Sequence, residues 1–256
     1  MTVKKLISTC SSLVVLAACG ATFAGGADQF AAPTPPPPPA PVVDYFSGLN
    51  LGVFGSFDLV TFNDSVNYWD GAFNDDGDGH DETGYGGVQA TFGKVFRDMY
   101  YVGVQGYGKF GKADDTHGIT DLYTQESITS TESELETMAG VNLKPGIVVG
   151  PDRKTLVYLL GGAIWGDTEI TASENIIDGD TTSDSGWELG WLAGLGAERF
   201  IDDNGNFSVY AQYTFADMDR QYAPNTADGS ITQAGTRADD SAFTIGFNYY
   251  PGFSFF

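Results

Sequence analysis

The densest chemistry in the chain lies in Asn74-Asp75-Asp76-Gly77-Asp78-Gly79-His80-Asp81-Glu82. Oxygen donors at this density suit hard cations such as calcium, and Asn74, Asp76, Asp78, Asp81 and Glu82 are the candidate ligands. Read as a calcium-binding loop starting at Asn74, the segment puts oxygens at Asp76 and Asp78 and a glycine, Gly79, in the sharp turn. The pattern fails at Tyr85, which stands where a bidentate Glu belongs, so a solvated acidic loop is the plainer reading. A second combination sets Asp76 and Asp78 against Asp115 and His117, groups that together could activate water. Gly103 to Lys109 spells G-x-x-x-x-G-K, but Phe110 replaces the Ser or Thr a phosphate-cradling loop needs. No motif calls for a cofactor.

Charge narrows the partners. With 34 acidic against 12 basic residues, the net charge of −22 repels nucleic acid, and cations are the natural counter-charge, divalent ones at the acidic loops above all. The N-terminus reads as an export signal: Lys4 and Lys5 precede an apolar run from Leu6 to Ala18 that is too short to span a bilayer. Two processing routes stand. Leu16-Ala17-Ala18-Cys19 fits a lipobox, with Cys19 lipidated; ordinary cleavage after Ala24 would instead discard Cys19 and leave residues 1–24 as the signal peptide. On either route Cys10 is removed, so the exported chain has no intramolecular disulfide. Residues 25–44, with Pro35 to Pro39 at their centre, read as a stiff extended linker in the periplasm.

These groups must be positioned by sheet. The 34 glycines, 13 tyrosines and 18 phenylalanines disfavour helices and favour pleated surfaces. From Tyr45 onward, segments of about ten residues alternate apolar with polar or small, the period of a strand. Strands are predicted at 46–57, 84–96, 99–111, 132–144, 154–166, 186–200, 206–217 and 240–250. The last is the clearest, with Phe243, Ile245, Phe247 and Tyr249 on one face and Thr244, Gly246, Asn248 and Tyr250 on the other. Tight turns at Arg97-Asp98, Gly150 to Arg153 and Asp202 to Gly205 alternate with long polar loops at 58–83, 112–131, 167–185 and 218–239. Short turns on one side and long loops on the other describe an all-β, eight-stranded antiparallel up-and-down transmembrane barrel over residues 45–256, in the cell outer membrane. Closure leaves no strand edge unpaired in lipid.

The second hairpin, Gly86-Gly87-Val88-Gln89 with Tyr101-Val102-Gly103-Val104-Gln105-Gly106, resembles that of opacity-type, porin-like outer-membrane proteins with an OmpA-like barrel. So do Gly186-Trp187, Gly194-Leu195-Gly196-Ala197-Glu198 and Tyr210 to Asp217. The resemblance covers roughly 45–250 and implies an eight-stranded barrel without a catalytic site. Pro251-Gly252 departs from it by separating the last strand from Phe253 to Phe256, where the family places an assembly signal for the barrel-assembly machinery. Omptin-type proteases use an acidic pair facing an Asp-His pair, but on ten strands. Lipid A deacylases need His and Ser close together on a strand, and here His80 and His117 both fall in predicted loops.

The inferred inward face carries Gln89, Gln105, Lys109, Glu136, Asn142, Lys144, Glu188, Glu198 and Gln212. Eight strands leave a bore that side chains fill, so these groups should pair, Lys109 with Glu136 or Glu188. Tyr45, Phe57, Tyr100, Trp165, Trp187, Tyr249 and Tyr250 are the expected interfacial aromatics, against lipids that include lipopolysaccharide. Three functions follow in order: a non-enzymatic structural or surface-interaction protein, a small porin or gated channel, and an outer-membrane hydrolase.

Overall fold

In the computed structural model, side chains alternate along each strand, and the apolar set faces outward. Leu51, Val53, Phe57 and Leu59 on β1 (Gly48–Tyr68) are exposed, as are Val88, Phe92 and Phe96 on β2 (Phe73–Phe96). The same holds for Val102, Val104 and Phe110 on β3 (Tyr100–Thr120), Val141, Leu143 and Ile147 on β4 (Ser127–Val149), and Val157, Leu159 and Trp165 on β5 (Thr155–Glu174). It continues through Leu189, Trp191 and Leu195 on β6 (Thr181–Phe200), Phe207, Tyr213 and Phe215 on β7 (Phe207–Met218), and Phe243, Ile245 and Phe247 on β9 (Ile231–Tyr249). An apolar belt this continuous is stable against lipid and not against water. The structure describes residues 44–68, 73–120, 127–174, 181–219, 221–224 and 231–252.

β1 to β7 pair antiparallel in sequence order, β7 pairs on with β9, and β1 pairs with β9 from Leu51↔Tyr249 to Tyr68↔Ile231, closing the barrel. The three-residue β8 (Gln221–Ala223) continues the line of β7 along β9, so nine segments occupy eight positions. The closing strand before Pro251-Gly252 is paired on both sides, and Tyr250 N–H donates to Asn206 O at 2.8 Å beyond it. Tyr250 is not an interfacial aromatic. It turns inward and is buried against Phe200. The tight turns fall where expected. Arg97 and Asp98 both have positive φ, 49° and 60°, as a type I′ hairpin turn requires. Asp202 accepts from the Asn206 and Phe207 amides at 3.1 and 2.9 Å, and Gly205 takes φ 72°.

The predicted long loops are mostly strand. β2 has 24 residues, roughly 80 Å at ~3.3 Å each, more than twice what a tilted strand needs to cross a ~25 Å apolar belt. Beyond the belt the faces exchange character. On β1 the outward side becomes Thr61, Asn63, Ser65 and Asn67, while Val60, Phe62 and Val66 turn inward and are buried. Ile170 and Ala172 on β5 and Ala234 and Ala238 on β9 complete an apolar interior. At the same height the wall divides. Pairing of β2 with β3 ends at Gly86↔Phe110, and pairing of β6 with β7 ends at Gly190↔Met218. Above those rungs, β8, β9, β1 and β2 form one sheet and β3 to β6 another, packed face to face as a sandwich. Ser133 Oγ donates to the Asp64 carboxylate across the core.

Candidate functional site

Inside the belt, the lumen carries charge in two layers. Near the tight turns, Glu198 on β6 is buried and accepts four hydrogen bonds: Lys144 Nζ at 2.9 Å, Ser208 Oγ at 2.6 Å, Asn248 Nδ2 at 2.8 Å and Tyr250 Oη at 2.7 Å. The Lys144 ammonium also stands 3.9 Å from the Tyr158 ring centroid. From Asn248 the network runs on: Gln89 donates to Asn248, Gln105 and Tyr210 donate to Gln89, and Asn142 donates to Gln105. One connected set thus crosslinks β2, β3, β4, β6, β7 and β9 through the bore.

The second layer is Lys109 on β3, whose ammonium bonds Asp58 and Asp240 (the latter at 2.6 Å) and lies 5.0 Å from the Tyr85 ring. Glycine makes room for the aromatics between strands. Gly93 and Gly103 are cross-strand partners, and a Cβ on either would stand within 2.5 Å of the Tyr101 hydroxyl. At the turn end Phe46, Phe200 and Tyr250 stack as a buried plug, with Phe46 and Phe200 centroids 4.9 Å apart. Between the charged layers remains a cavity of about 20 Å³ lined by Gln89, Gln105, Tyr107, Lys109 and Asn142, the room of a single water molecule.

Of the residues predicted to face inward, Gln89, Gln105, Lys109, Asn142, Lys144 and Glu198 are buried in this network, and Gln212 accepts from Tyr158 Oη at 3.2 Å. Glu136 is not among them. A β-bulge between Leu135 and Met138 puts an extra residue on β4 and shifts its alternation by one, so Glu136 is exposed on the outer face. Glu188 is half-exposed, and no ion pair joins it to Lys109, whose partners are Asp58 and Asp240. Asp58 falls at the start of the predicted loop 58–83, yet counting in twos from Asn50 along β1 places it inward.

The acidic segment does not fold as a cation loop. Residues 73–96 form one strand, so Asp78 and Glu82 are exposed outside while Asp81 accepts from the Asp114 amide at 3.2 Å. The side chains of Asn74, Asp76 and His117 lie outside the described residues. Among the described residues, no group of three or more acidic, His or Cys side chains is arranged to hold a metal ion. His80 is exposed on the outer face of β2. The Gly103 to Lys109 stretch is barrel wall. Cys19, the proline run and Phe253 to Phe256 lie outside the described residues.

A closed bore, a lipid-facing belt and the profile of the family described as outer membrane protein beta-barrel domain, which matches residues 13–250, agree. The chain belongs to the outer membrane β-barrel family. A search of curated proteins finds no match. Among solved structures, OprG of Pseudomonas aeruginosa is 15% identical, with 79% of this chain and 96% of that one covered and a TM-score of 0.44. The protease OmpT of Escherichia coli is 10% identical, covering 78% and 96%, with a TM-score of 0.42. Ail, the attachment invasion locus protein of Yersinia pestis, is 17% identical, covering 75% and 97%, with a TM-score of 0.27. As a member of the outer membrane β-barrel family, the chain is an outer-membrane protein.

Proposed function

We propose that this is a non-enzymatic surface protein: a sealed barrel that fixes an acidic two-sheet head outside the cell. The observation that carries the reading is the exchange of faces along strands such as β1, β2 and β5, which run from the lipid-facing barrel into the water-facing sandwich without a break. The outward side of the β3 to β6 sheet presents Asp114, Glu132, Glu134, Glu136 and Glu169, with Lys112 bonded to Glu134 at 2.6 Å. Such a face favours cationic partners, divalent ions or basic surfaces, and speeds their encounter at low salt. Lipopolysaccharide packs against the belt, and the assembly machinery reads the C-terminal aromatic residues. Planar-bilayer recording tests the seal: the reading expects no discrete conductance steps.

The buried Lys109–Asp58–Asp240 and Lys144–Glu198 sets favour one second reading, a gated channel in which these pairs exchange partners. Steps in the same recording that change with Lys109→Ala would establish it and displace the sealed barrel.

A further inference from the structure

Where the β6 to β7 ladder stops, the outer wall carries a groove of about 450 Å³ lined by Leu189, Gly190, Trp191, Asp217, Asp219 and Arg237. Its position is set by the interrupted strand. Past Gly190↔Met218 the backbone link among the described residues is Asp219 N–H donating to Leu189 O at 3.0 Å, and β8 above it pairs with β9 and not with β6. Side-chain bonds also cross it, Gln221 to Asp184 and Thr182 to the Pro224 carbonyl, each 2.7 Å.

The groove straddles the upper edge of the apolar belt, so its two halves differ. Below, Trp191 is 51% exposed and tilted against Phe215 at 5.5 Å, with Leu189 beside it. Above, Asp217 holds Arg237 in a bidentate pair and Asp219 adds a second carboxylate, so the carboxylates outnumber the cation. Trp165, Trp187 and Trp191, the tryptophans among the described residues, all lie on β5 and β6 around it.

We infer that this groove binds a membrane-partitioned cationic amphiphile, its chain against Leu189, Trp191 and Phe215 and its ammonium head between Asp217 and Asp219. An aromatic face attracts such a head as well as the chain below it. The occupant comes from the bilayer, because the apolar half opens at lipid depth.

The test is tryptophan quenching of the folded protein in zwitterionic vesicles by 12-bromododecyltrimethylammonium, with 12-bromododecyl sulfate as its chain-matched anion. Concentrations are expressed per vesicle-bound probe, and the signal is the difference between wild type and Trp191→Phe. The cation should saturate at a concentration about five-fold or more below the anion. Asp219→Asn, which leaves the Asp217–Arg237 pair in place, should weaken the cation several-fold. Asp217→Asn with Asp219→Asn should abolish the preference, because Arg237 then keeps Asp239, 3.8 Å away, as its counter-charge. Heat-dependent gel mobility confirms that each variant is folded. Equal quenching of the wild type by both heads, or a preference unchanged in these variants, overturns the site in favour of plain bilayer partitioning.

Discussion

Replacing Glu198 with Ala removes the acceptor of four buried hydrogen bonds and leaves the Lys144 ammonium in the bore with, among the described residues, the Tyr158 ring as its partner. Breaking one side of a buried ion pair costs about 3–5 kcal/mol, because the remaining charge stays desolvated. At ~1.4 kcal/mol per decade, this is roughly a hundred- to several thousand-fold in the folding equilibrium. Glu198→Gln should cost less, since an amide oxygen still accepts from Ser208 and Tyr250. Lys144→Met combined with Glu198→Leu should recover most of the loss by removing both charges. The assay is urea titration in phosphatidylcholine vesicles, read by gel mobility and tryptophan emission. If Glu198→Ala cost under about 1 kcal/mol, or its effect simply added to that of Lys144→Met, the network would not be the crosslink described.

Three further outcomes follow. Leu143→Arg, in the middle of the β4 belt, should destabilise by about 2–4 kcal/mol, while Thr171→Arg, outward and beyond the belt opposite Glu132, should stay within ~0.5 kcal/mol in the same titration. Glu136→Gln should be nearly silent, within about 0.5 kcal/mol, whereas Asp58→Ala, which strips a buried partner from Lys109, should cost about 1–3 kcal/mol. The Phe207 and Asn206 amides hold the Asp202 carboxyl below its ordinary range. Its contribution is therefore fully present above the unfolded carboxylate pKa of about 3.9 and is lost as pH falls through the lower folded value. The difference in urea midpoint between wild type and Asp202→Asn should accordingly be constant near neutrality and vanish in strong acid.

The barrel was legible because lipid contact imposes long outward runs such as Phe243, Ile245 and Phe247, which nothing in a soluble loop would produce. The head was not, although its signal was present. Val60, Phe62 and Val66 alternate with Thr61, Asn63 and Ser65 at the same period, but with the apolar residues moved to the opposite face, so the strand reads as ending at Phe57. The acidic run through Asp75 to Glu82 hid β2 for the same reason: its polarity suits either a loop or the wet face of a sheet. Within the lumen, Lys144 and Glu198 followed from parity alone. Glu136 did not, because the bulge after Leu135 changes the parity and no residue type announces it. Which acids meet Lys109 depends on the register among β1, β3 and β9, a long-range property that local pattern does not contain.

Spin labels placed singly along β1 test the exchange of faces most directly. Power saturation at positions 53, 57 and 59 should show access to oxygen and little to an aqueous nickel chelate, positions 61, 63 and 65 the reverse, and position 58 little access to either. Oxygen access that continued unchanged past position 61, or chelate reaching position 58, would contradict a sealed barrel carrying a water-facing head.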